Sequence, residues 1–140
     1  MTNGLIKFYY KISYFAQKTA GWKDSKKGFK NYLVVCCLFI SSGFVISLFL
    51  PVLSQLAIPF SIIFYVIYAI IYYKYIAPFI EMKVDRDVNY ELFDSLYEKT
   101  NIIQRILFVV ISMTLIFCSI LIMVFSFYLF VKLWKIFGIM

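Results

Sequence analysis

Asp85-Arg86-Asp87 is the stretch of this sequence that comes nearest to a reaction centre. Two carboxylates two residues apart could share a divalent cation, the arrangement a lipid-diphosphate or phospholipid-modifying membrane enzyme would need. On a helix, however, such side chains point about 200° apart, so they converge on one ion only where the backbone is extended. No second acidic motif and no glycine-rich phosphate cradle accompany them. Histidine is absent, which removes imidazole-ligated haem, most catalytic zinc sites and any relay needing a base that titrates near neutrality. Cys36, Cys37 and Cys118 sit in apolar runs with no Asp or Glu beside them, so they offer neither a metal site nor a C-x-x-C redox pair. They read as small packing residues, and the vicinal pair diverges around a helix rather than bridging. The expectation is a non-enzymatic chain with no cofactor, no metal and no small-molecule substrate.

A second kind of chemistry is carried by patterned small and hydroxyl residues in otherwise apolar sequence. Ser112, Ser119 and Ser126 recur every seven residues, in phase with Arg105. Ser61, Tyr65, Tyr68, Tyr72 and Tyr75 form another row at i, i+4, i+7, i+11 and i+14, and Gly43-x-x-x-Ser47 is a small-xxx-small pair. Lipid supplies no hydrophobic drive between helices, so close backbone approach and interhelical hydrogen bonds must hold a bundle together there. Gly43, Ser47, Ser61, Tyr65, Tyr68, Tyr72, Ser112, Ser119 and Ser126 are therefore the expected helix-contact residues. These rows are expected to pack the three helices against each other; three helices satisfy few hydroxyls by themselves, so a partner-facing tyrosine row is the alternative.

What positions these residues follows from composition. Of 140 residues, 64% are hydrophobic, 21% aromatic and 15% charged, against roughly 25% charge in a soluble domain. Such a chain is neither an ordinary soluble domain nor disordered. Residues 31–73 and 106–131 carry no charge, and a membrane span needs about 20 apolar residues. The first block is twice that length and must turn, with Pro51 and Pro59 flanking Ser54 and Gln55. The pattern predicts an all-α integral membrane protein. Its spans are expected at 32–50, 59–77 and 103–131, with a short external turn at 51–58 and an external tail at 132–140. The third span is long enough to require tilt.

Orientation follows from the basic residues. Seven lysines precede the first span, with Asp24 as the one acid among them. Residues 74–105 hold five basic and six acidic side chains, and only Lys132 and Lys135 come later. Basic residues concentrate on the cytoplasmic side, so the N-terminus is expected there, in a cell inner membrane, as a multi-pass protein. The long basic lead and the lack of an A-x-A-like site speak for an uncleaved first span. No N-x-S/T sequon occurs, as fits a bacterial inner membrane. Trp22 and Trp134 are expected as interfacial anchors.

Two flanking segments carry amphipathic periods. In residues 1–31, Leu5, Phe8, Tyr9, Ile12 and Phe15 fall on one helical face while Lys7, Lys11 and Lys18 fall on another. The helix is expected in the headgroup plane, its lysines near anionic lipid headgroups; residues 21–28 read as a solvated turn. The aromatic period follows a helix rather than bases, so no nucleic acid is expected. In residues 78–102, Val84, Val88, Leu92 and Leu96 recur every four residues among acids, predicting one cytoplasmic helix of about five turns, isolated by Pro78. Its acids complement the N-terminal lysines, so it is expected to lie over that segment.

With no acid or base but tyrosine and cysteine in the spans, proton relays and ion-coupled transport lack carriers. The expectation is a small protein that acts by binding another integral membrane protein, or itself, through its helices. In general architecture it resembles immunity proteins against pore-forming bacteriocins, which intercept a toxin's helices in the inner membrane. The resemblance rests on three spans, a basic N-terminus and a charged loop rather than on a motif. Exclusion proteins of phages or plasmids and accessory subunits share these statistics. A self-assembling pore or holin-like effector is the main alternative, although a lumen asks for more polarity than these spans carry.

Overall fold

The computed structural model describes residues 4–21, 23–53 and 58–139, with the side chains of 53 and 58–61 outside that description. Trp22, Ser54 and Gln55 therefore lie outside the described residues, as does the side chain of Ser61. Among the described residues the chain is all helical: α1 (Gly4–Thr19), α2 (Ser25–Leu53), α3 (Ile58–Ile71), a π-helical turn (Tyr72–Ile76), α4 (Ala77–Asp87), α5 (Tyr90–Glu98) and α6 (Ile102–Ile136). Three stretches are long and apolar enough to cross a membrane: Ser25–Val52, Ile62–Asp87 and Ile102–Ile136.

Local chemistry sets the helix ends, and it moves several of them from the expected positions. Gly21, at φ +76°, ends α1 in the left-handed region, its N–H reaching back to the Lys18 carbonyl. Asp24 then accepts from the Lys27 N–H, so the cap starts α2 at Ser25, seven residues ahead of the expected 32. The turn expected over 21–28 shrinks accordingly. At its far end α2 continues through Pro51 to Leu53 instead of stopping at 50, because a proline one turn from the end removes few helical bonds.

Pro78 does not isolate the segment after it, contrary to expectation. The helix runs on into α4 through the π-helical turn, in which the Ala77 N–H bonds back to the Tyr72 carbonyl. That widened turn lies directly before the proline, where an α-helical ladder would clash with the pyrrolidine ring. The break comes instead at Asn89, whose extended backbone and side chain, accepting from Leu92 N–H, cap α5. The single helix expected within 78–102 is thus two. Asn101 and Gln104 cap α6 reciprocally, each side chain accepting from the other's N–H. α6 runs past the expected 131 to Ile136, with Lys135 in its last turn, where a cation suits the helix dipole.

The chain divides into two compact units, Met1–Val35 with Phe79–Ile116 and Cys36–Pro78 with Phe117–Met140. The first contains an aromatic core. Tyr14 and Phe15 of α1 and Phe29 of α2 are almost fully buried. Phe15 meets Phe93, Tyr97 and Phe108 edge-on with centroids 6.3, 5.4 and 5.2 Å away, a favoured aromatic geometry. Burial divides α1 along its length, not across it. Residues 4–8 are exposed, whereas Tyr10 and Ile12 to Ala16 are buried, so the helix does not present the single apolar face expected of Leu5 through Phe15.

Candidate functional site

In the second unit, α2 is the helix on which the others are built. Its Gly43 sits against α6 so closely that an added Cβ would stand 2.7 Å from Met123 Cα and 2.6 Å from Ser126 Oγ. Glycine is what permits this approach. Ser126 is buried and donates to its own helix at the Met123 carbonyl. Ser42 is buried beside it, donating to the Phe39 carbonyl with Met123 Sδ 3.7 Å away. Ser47 is fully buried and donates to the Gly43 carbonyl. Ser119 is buried as well, and Phe44 meets Phe130 edge-on at 6.5 Å.

One bond in this seam has a specific cause. Pro51 has no N–H to return to the Ser47 carbonyl four residues earlier. Trp134 Nε1 donates to that carbonyl from α6 at 3.1 Å. The tryptophan expected as an interfacial anchor thus repairs a proline defect in a neighbouring helix. Trp134→Phe is expected to leave the carbonyl without this donor and to lower stability by about 1 to 2 kcal/mol. Thermal unfolding in detergent reads it.

The tyrosine row meets the other side of the seam. Tyr68 donates to Ser41 Oγ of α2 at 2.6 Å, and Tyr72 is buried, its ring 6.1 Å from that of Tyr68. Phe49 and Phe64 pack with centroids 5.2 Å apart. Tyr65 is half-buried, whereas Tyr75 is 63% exposed. Tyr68 and Tyr72 are therefore engaged within the chain rather than turned outward. Ser41 and Ser42, adjacent to Gly43, are the contact residues that periodicity missed; the Ser-Ser-Gly cluster was their signal. Ser112 belongs to the first unit, where it is buried and its carbonyl accepts from Tyr32 OH at 2.8 Å.

The lysines proposed for headgroups divide. Lys7 is exposed, Lys11 rests 5.6 Å from the Phe15 ring centre, and Lys18 is committed to Asp94 at 2.6 Å. Asp94 also accepts from Tyr14 OH at 2.8 Å, which together with Lys18 joins α5 to α1, as charge complementarity predicted. Burial and the Asp94 bond hold the Tyr14 phenol above its ordinary range. Burial raises the Asp94 carboxyl, but the bonds from Lys18 and Tyr14 outweigh it and hold the group below its usual value. A lowered pKa contributes stability above the unfolded value of about 3.9 and loses it as pH falls through the folded one. Hydrogen-exchange protection of α1 is thus expected to drop below about pH 4, and Asp94→Asn to flatten that step. With the Asp94 side chain 39% exposed, the effect stays within about 1 kcal/mol.

Asp85 has both carboxylate oxygens engaged, one by Lys30 at 3.0 Å and one by Tyr90 at 2.8 Å. Among the described residues no three metal-ligating side chains gather, and the three cysteines are free. An apolar groove of about 360 Å³ lies beside the α2–α6 seam, lined by Gly43, Ile46, Met123, Val124 and Phe127. The arrangement can hold helices and present shape. No family model, no curated protein and no solved structure matches the chain.

Proposed function

We propose that this is a non-enzymatic, three-span inner-membrane protein, N-terminus cytoplasmic, that works by binding another integral membrane protein through its helices. The observation that carries this reading is how the polar groups of α2, α3 and α6 are used. Ser41, Ser42, Ser47, Ser126, Tyr68 and Trp134 all find partners inside the chain. Most of what remains outward is apolar, such as Ile63, Ile67 and Ile70 on α3 and Phe117, Leu121 and Phe125 on α6, with Thr114 and Tyr128 of α6 exposed among them. A surface of that kind recognises by shape and close packing, and the groove at Gly43 gives it relief. The seven lysines of residues 1–31, which lie in α1, in the turn after it and in the first turns of α2, support the orientation.

Burial of Ser119 and Ser126 counts against a self-assembled pore lined by the serine row. Immunity, exclusion and accessory-subunit roles all use the proposed mode of action. A photo-crosslinking residue at Ile67 or Phe125, followed by purification from native membranes and mass spectrometry, tests it. One discrete heterologous membrane protein joined at either position is the expected result. A ladder of self-crosslinked copies alone would replace the reading with self-assembly.

A further inference from the structure

The exposed end of α1 has a chemistry of its own. Leu5 is 75% and Phe8 63% exposed, although the next two turns of the same helix are buried in the aromatic core. α1 contains no acidic residue, and the first acid in the chain is Asp24. Of its three lysines, Lys18 is neutralised by Asp94, which leaves Lys7 and Lys11 as the net charge of the free end. Leu5 and Phe8, three apart, share one side of the helix; Lys7 and Lys11, four apart, share the side next to it. Large apolar side chains beside cations with no anion among them match one surface in particular. That surface is a bilayer boundary with acyl chains below and phosphates above.

We propose that residues 4–11 of α1 dock on an anionic bilayer surface. Leu5 and Phe8 enter the acyl boundary, and Lys7 and Lys11 extend to the headgroup phosphates. The buried half of α1 then fixes where the contact is made, since the Tyr14–Asp94 and Lys18–Asp94 bonds hold that half to α5. Lys18 drops out of the headgroup set. The inference rests on the reading of the long helices as membrane spans.

The test uses the full chain with its three cysteines replaced by alanine and an environment-sensitive fluorophore at Leu5→Cys. The protein is reconstituted in phosphatidylcholine vesicles with or without phosphatidylglycerol, using brominated acyl chains as quenchers. Strong quenching in the anionic vesicles is expected, with Lys7→Gln/Lys11→Gln lowering the ratio of inserted to free probe by roughly 30-fold, about fivefold per lysine. Retained thermal unfolding of the double variant keeps the comparison valid, as Lys7 is exposed and Lys11 only half-buried. A probe that stays open to aqueous iodide overturns the proposal. So does quenching indifferent to lipid charge and to both lysines, which would make the contact purely apolar. A probe shielded from lipid and iodide alike, in chains that crosslink as dimers, overturns it in favour of a second copy. A companion fluorophore at Phe117→Cys, 61% exposed on α6, should be quenched in both vesicles. Its failure would strike the span reading instead.

Discussion

Gly43→Leu is expected to force α2 away from α6 and to lower stability by about 3 kcal/mol or more, the upper end of the cost of overpacking. The magnitude comes from what the new side chain would meet. Its first carbon would stand 2.7 Å from Met123 Cα and 3.0 Å from the Met123 carbonyl oxygen. Both are backbone atoms of a helix that cannot rotate aside as a side chain can. The helices must separate, and separation stretches the Trp134 bond to Ser47 and opens the packing of Phe44 on Phe130. Even Gly43→Ala should register, because its one added carbon already makes the clash. Gly4→Ala, with nothing within 4 Å, is the matched control and should change stability by less than about 0.5 kcal/mol. Chemical unfolding in a fixed detergent measures all three.

Phe15→Ala is the second large effect, expected at about 4 kcal/mol. Phe15 is fully buried, and its ring touches α5 through Phe93 and Tyr97 and α6 through Phe108. Its loss leaves a ring-sized void among aromatic neighbours that are themselves held in place: Tyr97 by Thr19, Tyr14 by Asp94. Neighbours so tied collapse poorly into a void, and poor collapse raises the cost of truncation. Hydrogen exchange should accelerate by orders of magnitude across α1 and α5. Leu92→Ala on the same α5, at a half-exposed position, should cost far less.

Much of this architecture is legible in the sequence because its two strongest signals are one-dimensional. Uncharged blocks of the right length announce helices that can cross a membrane, and Gly43 and Ser126, each marked by its spacing in the sequence, meet between α2 and α6. The acid–lysine complementarity between residues 78–102 and the N-terminal segment likewise foreshadows the Lys18–Asp94 pair. Other features depend on three-dimensional partners. Pro51 reads as a helix end until Trp134, 83 residues on, supplies a bond to the Ser47 carbonyl. Pro78 reads as a break because periodicity does not reveal that a π-helical turn will absorb it. The Asn89 cap falls within a period of four that runs on unbroken through Val84, Val88 and Leu92. The tyrosine row could be seen, but not whether it would face another chain; Ser41, one helical neighbour away, decides that for Tyr68.

The proposed function requires lipid around both uncharged blocks and residues 54–57 on the far side of the membrane from the lysine-rich segments. Paired reporter fusions expressed in a bacterium test this most directly. One is an alkaline phosphatase active only outside the cytoplasm; the other is a fluorescent protein that matures only inside it. Fused after Gln55, the phosphatase should be active and the fluorescent protein dark, with the reverse for fusions after Lys99. Fluorescence from the Gln55 fusion, with an inactive phosphatase there, would contradict the account.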